Sequence, residues 1–254
     1  MKQKVIWIIA IILTILFLGM ACYEIYKKNT QIIQNPIVTM EIEGYGTVKM
    51  ELYPDMAPNT VAHFIKKINE GFYDGLTFHR TIPDFMIQGG DKEGTGSGTL
   101  DYALPGEFIA NGYTENTLKH ERGVLSMARG DYSSYGSGLT SYSYNSAGTQ
   151  FFIVTEDATY LDGYYTAFGR VIEGMDIVDR ISQLEVVYRS SELGEDEEAP
   201  KDEEGQTIPS DRPVNPPAIK SMKVETFGVD YGEPVTTEPF DYVNWIYSNY
   251  NFNY

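Results

Sequence analysis

Between residues 37 and 228 no apolar stretch is long, and turns rich in glycine separate nearly all of them. That rhythm constrains the fold more than any other feature of the chain. Residues 37–53 alternate around Gly44-Tyr45-Gly46, with Val38, Met40 and Ile42 before the turn and Val48, Met50 and Leu52 after it. This is the period-two signature of two paired strands. Short apolar pieces follow at 76–78, 85–88, 123–128, 150–155 and 166–171, and 219–227 alternates again. Evenly spaced short strands predict a mainly β, antiparallel sheet, closed or nearly closed. Two helices interrupt it. Val61, Phe64, Ile65 and Ile68 form one apolar stripe, started at Pro58 or Asn59 and ended by Gly71. Met175, Val178 and Ile181 predict a second, shorter helix.

The amino terminus has a different character. Lys2 and Lys4 precede an uncharged run over 5–21, slightly shorter than the roughly 20 residues a membrane span needs. A basic flank before such a run reads as a signal sequence or signal anchor in residues 1–22. The single cysteine, Cys22, closes the run, and Leu18-Gly19-Met20-Ala21-Cys22 resembles a bacterial lipoprotein processing site, with Gly19 where an aliphatic residue is usual. Two anchors stay open: a lipidated Cys22 or an uncleaved N-terminal helix. Either delivers the rest of the chain outside the cytoplasm, attached to the cell membrane. One cysteine forbids an internal disulfide. Residues 23–36 read as a spacer.

Three segments depart from the compact pattern. Residues 130–148 are small, polar and rich in tyrosine, and predict a surface loop that buries little. Residues 190–217 carry nine acidic side chains and five prolines, and predict a solvated, self-repelling loop. The tail, 229–254, concentrates Phe240, Tyr242, Trp245, Ile246, Tyr247, Tyr250, Phe252 and Tyr254. It either packs back on the domain or forms a partner surface. Lys plus Arg is 19 against 36 Asp plus Glu, a net of -17. Such a surface repels phosphates, so nucleic acid is excluded as a partner.

The densest chemical signal is Phe78-His79-Arg80, then Phe85-Met86-Ile87-Gln88-Gly89-Gly90-Asp91. Gly106-Glu107-Phe108, Gly123-Val124-Leu125-Ser126-Met127-Ala128, Gln150-Phe151-Phe152-Ile153, Tyr160-Leu161-Asp162-Gly163 and Phe168-Gly169 accompany it. In these blocks, taken in order, the sequence resembles the cyclophilin family of peptidyl-prolyl cis–trans isomerases, from about 37 to 228, in a bacterial exported or membrane-anchored form. The resemblance implies an eight-stranded antiparallel closed barrel capped by two helices. It implies proline-containing polypeptides, exported proteins among them, as substrates. It implies that Arg80 is catalytic, with Gln88 beside it. Phe85, Met86, Phe152 and Leu161 match the family's proline pocket, Gln88 and Gln150 its backbone-holding residues, and Ala128 and Arg129 the segment beside the peptide. Tyr160 and Tyr165 stand where many members have Trp and His. They keep an aromatic wall with a polar tip.

The same residues suit the chemistry on independent grounds. Rotation about an X–Pro bond faces a barrier of about 20 kcal/mol, because nitrogen donates into the carbonyl. No bond breaks, so a catalyst needs no nucleophile. It must favour the twisted amide over both planar forms. A rigid, permanently charged donor near the proline nitrogen does this, and Arg80 is the best candidate. An apolar slot from Phe85, Met86, Phe152 and Leu161 would grip the ring. No cofactor and no metal is expected: His63, His79 and His120 lack ligand spacing. His79 reads as a structural histidine with its nitrogens satisfied, His63 as a surface or helix-packing residue, and His120 as a cap on the approach to the next strand. The hydrolase alternative is weak, since Ser126 is not in a nucleophile elbow and no ordered His or Asp partner is evident. A catalytically silent proline-peptide-binding or scaffold module on the cell surface is the stronger rival. A monomer is the favoured state.

Overall fold

The computed structural model describes residues 13–20, 34–98, 100–189, 192–194, 197–202 and 205–249. Cys22 and most of the spacer lie outside them. The chain divides into two compact units, Met1–Gln34 and Asn35–Tyr254. In the first, residues 13–20 are helical and exposed. No helix among the described residues is long and apolar enough to cross a membrane.

The second unit is mainly β. Its strands are β1 (Ile37–Ile42), β2 (Gly46–Leu52), β3 (Phe78–Ile82), β4 (Met86–Gly89), β5 (Val124–Met127), β6 (Phe151–Val154), β7 (Ala167–Glu173) and β8 (Ile219–Glu225). All pair antiparallel in one sheet, ordered β3-β4-β6-β5-β7-β2-β1-β8. The sheet curls into a half-barrel whose continuous ladder ends at β3 and β8. The approaches to these two strands meet: Ile219 donates to the Leu76 carbonyl and accepts from Gly75, both at 2.7 Å. The outer edge of β3 is covered by the acidic loop, since Thr81 N–H donates to the Asp211 carbonyl and Arg189 donates to the Thr81 carbonyl. An exposed edge would otherwise invite a foreign strand.

Helix α1 (Pro58–Asn69) packs on β8, and α3 (Met175–Ser182) packs on β2, β3 and β4. α1 begins at Pro58 but has no local side-chain cap. Glu107 replaces it from 48 residues away, accepting the Asn59 and Thr60 N–H groups at 2.9 and 2.8 Å. Such a carboxylate at a helix start satisfies donors that the helix itself leaves unpaired.

Strands β4, β5 and β6 are buried on nearly every residue. Their alternate side chains enter two different apolar clusters. Ile87, Leu125, Phe151 and Ile153 join the central core with Phe64 and Phe168. Met86, Val124, Phe152 and Val154 join a smaller one with Leu161 and Ala167. Continuous apolar runs, rather than alternation, are what a strand buried on both faces requires.

Two loop expectations need correction. Residues 130–148 are not featureless: they hold the short helix α2 (Thr140–Tyr144), and Leu139 and Ser143 are buried. The acidic loop is not wholly solvated, because Asp211 is 2% exposed. The tail packs back on the domain, as one of the two expectations held. It carries α4 (Tyr242–Asn249), and Phe240 stacks on Tyr142 at 4.3 Å.

Candidate functional site

Strand register assembles the site. Arg80 on β3 lies opposite Gln88 on β4, Gln88 opposite Phe152 on β6, and Phe152 opposite Ser126 on β5. Directly opposed residues share a face, so these four form one row across four strands. Simple alternation would put Phe78 on the same face as Arg80. An irregularity between them pairs Phe78 with Gly89 and Arg80 with Gln88. An extra residue in one strand reverses the facing. Phe78 therefore enters the core, while Arg80 stays half-exposed on the other side.

Arg80, Phe85, Met86, Gln88, Ala128, Arg129, Phe152, Leu161 and Tyr165 line a recess of about 180 Å³. The structure thus brings together nine of the eleven residues expected at the site. Two stand apart from the lining. Gln150 supports it from behind, accepting from Gln88 Nε2 at 2.9 Å and donating to the Gly96 carbonyl. Tyr160 is 67% exposed and touches the outside of Phe85, ring centroids 5.8 Å apart. The aromatic side wall is Tyr165, edge-on to Phe152. The Arg129 guanidinium lies over Tyr165 at 4.3 Å and donates to the Tyr164 carbonyl.

The Arg80 guanidinium is held from two sides. One Nη donates to Gln88 Oε1 at 3.4 Å, and Nε lies 3.8 Å from Asp211 Oδ2. The other Asp211 oxygen lies 3.7 Å from Arg189. The two cations that face it offset part of the cost of burying this carboxylate. Sequence reasoning missed Asp211 and Arg189. No local pattern separates Asp211 from the other acidic residues of its loop, although its backbone adopts φ +59°, unusual for a residue with a side chain.

The histidines correct several expectations. His79 is buried, yet neither ring nitrogen has a hydrogen-bond partner among the described residues. Burial pulls its pKa below the ordinary value. His63 is the helix-packing residue of its two alternatives, buried on α1 and meeting the Tyr102 hydroxyl at 2.8 Å. Burial, with help from the Lys67 cation, pushes its pKa down to about 4. His120 is no cap. Its Nε2 lies 3.0 Å from Ser126 Oγ, and its Nδ1 lies 3.2 Å from Asp162 Oδ1. A Ser–His–Asp line therefore exists where none was evident in the sequence. Ser126 and His120 are both fully buried, and Phe152 lies between His120 and the recess, stacked on the imidazole at 6.1 Å. No scissile carbonyl reaches that hydroxyl, so the line lies behind Phe152 and is not a nucleophilic site.

A positive charge beside an apolar, ring-sized hollow, with amide groups at the rim, suits a substrate that must be gripped and twisted without bond cleavage. The family described as cyclophilin type peptidyl-prolyl cis-trans isomerase/CLD matches residues 37–224. Peptidyl-prolyl cis-trans isomerase B of Bacillus subtilis is 42% identical over 146 residues, 58% of this chain and 90% of that protein. The peptidyl-prolyl cis-trans isomerase of Helicobacter pylori is 34% identical over 167 residues, 65% of this chain and 90% of that one. Among solved structures, a Cryptosporidium parvum cyclophilin type peptidyl-prolyl cis-trans isomerase, in the presence of the dipeptide Ala-Pro, superposes with a TM-score of 0.54 at 28% identity. The likeness covers 74% of this chain and 98% of that one.

Proposed function

We propose that this chain, which belongs to the cyclophilin-type peptidyl-prolyl cis–trans isomerase family and is an enzyme of that activity, accelerates X–Pro rotation through Arg80 poised over the apolar recess. The observation that carries the mechanism is the row Arg80–Gln88–Phe152 bordering a hollow of about 180 Å³. Phe85, Met86, Phe152 and Leu161 hold the proline ring. As the amide twists, its nitrogen loses conjugation and its lone pair becomes basic. The Arg80 guanidinium donates to that developing lone pair and lowers the barrier. Gln88 and Gln150 hold the peptide backbone, Ala128 and Arg129 run beside it, and Tyr160 guards the rim. Asp211 acts through Arg80 as a positioning residue. The Ala-Pro dipeptide accompanying the Cryptosporidium parvum relative supports a proline-bearing occupant. The decisive measurement is cis-to-trans conversion of a short X–Pro peptide by wild type and Arg80→Ala. Acceleration by wild type and its loss in the variant are expected; equal rates would refute the mechanism.

The barrel-like domain at 37–228, with loops at 130–148 and 190–217, is the catalytic part of a monomeric protein whose work is folding exported clients outside the cytoplasm. The support is the basic-then-apolar pattern of residues 1–22, which suits attachment to the cell membrane through lipidated Cys22 or an uncleaved helix. Mass spectrometry of the mature amino terminus separates the two. A soluble cytosolic chain with an unprocessed, unmodified start would overturn both.

A further inference from the structure

Beside the recess lies a larger cavity of about 280 Å³, and both are bordered by Gln88, Ala128 and Arg129. One extended polypeptide can therefore occupy the two at once. The family match ends at residue 224, yet part of the second cavity's wall is Pro239 and Phe240, from the tail. The tail is fastened there by specific bonds. The Asn59 side chain donates to the Val235 carbonyl at 2.9 Å and accepts from its N–H at 2.6 Å. Ala103 and Thr237 exchange two backbone bonds of 2.8 Å. Phe240 is clamped against Tyr142 and Tyr132, at 4.3 and 4.8 Å. Across the cavity stands Leu100.

The lining carries no carboxylate among the described residues, in a chain with 36 of them. Its one charged residue, Arg129, is already engaged by the Tyr164 carbonyl and lies over two tyrosine rings. No carboxylate there pairs with a basic side chain, and the walls offered by Leu100, Tyr132, Pro239 and Phe240 are apolar or aromatic.

We infer that Pro239 and Phe240 are specificity-determining residues, forming a wall that receives a bulky aromatic or aliphatic side chain of the substrate next to its X–Pro bond. The inference rests on the isomerase reading above. The tail thereby adds two residues to a cavity whose other lining comes from the 37–224 segment.

The test uses the full chain and its Phe240→Ala and Phe240→Leu variants. The substrates are pairs of short peptides carrying Ala or Phe at each position flanking X–Pro. The readouts are kcat/KM for isomerisation and Kd by calorimetry. At one flanking position wild type prefers Phe by about tenfold, the usual reach of an apolar pocket. The preference falls to near unity in Phe240→Ala and is largely restored in Phe240→Leu. An unchanged preference in Phe240→Ala, or none in wild type, overturns the inference. If no peptide is isomerised faster but the Kd preference behaves as stated, the mechanism fails while this wall stands. Acceleration without preference does the opposite: the mechanism stands and the wall loses its selective role.

Discussion

The two halves of the groove are built by different means. Met86, Gln88 and Phe152 on the recess side sit on strands laddered on both sides, and Arg80 sits on the edge strand β3, whose register is fixed by its ladder to β4. The second cavity is built mostly from loops: residues 96–98 and Leu100, the 130–148 segment and the tail. Its loops are held by side chains that replace a ladder. The Asp91 carboxylate accepts backbone N–H groups from Glu93, Thr95, Gly96 and Gly98. Its burial favours the neutral acid, and those bonds more than compensate, holding its pKa below the ordinary carboxylate value. Glycine at position 98 leaves this carboxylate in place, because a Cβ there would overlap it and force it to shift. On the proposed reading, the contrast places the chemistry on strand ladders and selection on loops that can vary without disturbing the sheet.

Four perturbations break or sharpen that contrast. The largest effect is expected on the strand side: Arg80→Ala should lower kcat/KM by about 100-fold or more, as removal of a preorganised donor does elsewhere. Its urea midpoint should fall only modestly, because the guanidinium is half-exposed and Arg189 still faces Asp211. A variant that loses activity only by unfolding would break the claim.

Acid comes second. His63 holds Tyr102, which lines the loop-side cavity. Its folded pKa of about 4 lies below the ordinary 6.5. Between those values the unfolded chain takes up a proton that the folded one refuses. Stability is thus full above pH 6.5 and falls as the pH drops toward 4, by roughly 3 kcal/mol from this group. His79 and His120, also depressed by burial, act with the same sign. Urea unfolding across that window should show the slope, and His63→Gln should flatten it. An identical slope in the variant would remove His63 from the account.

Asp91→Ala should cost about 2 kcal/mol by stranding several loop N–H groups. It should also disturb flanking-residue preference more than turnover of a small peptide. Equal losses in both would blur the division between the halves. Smallest is Asp211→Asn, expected to reduce kcat by about tenfold with little change in KM, since it loosens Arg80 without touching the recess. A change confined to KM would assign Asp211 to binding instead.

Much of this architecture was legible in the chain. The alternation at 37–53 gave β1 and β2, with register Ile37 opposite Glu51 through Ile42 opposite Gly46. The stripe from Val61 to Ile68 marked α1, and the ordered blocks marked the recess. The failures share a cause. The Arg80–Asp211 contact, the His120–Asp162 contact and the Glu107 cap join residues 131, 42 and 48 positions apart, and no local period reports such partners. Loop composition misled for the same reason: Asp211 and Leu139 are buried by what folds over them.

By itself, then, the sequence determined which residues are present and which local shapes are cheap: short strands, two amphipathic helices, glycine turns, and the residue types of a proline-gripping site. Only the tertiary structure decided which face each strand presents. The register shift beside His79 sends Phe78 into the core and leaves Arg80 at the recess, where alternation alone would have put both on one face. It also decided that an acidic loop supplies the anion beside Arg80 and that the tail walls the second cavity. Those outcomes depend on burial and pairing between distant segments, and their free energy exists only once the chain has closed on itself.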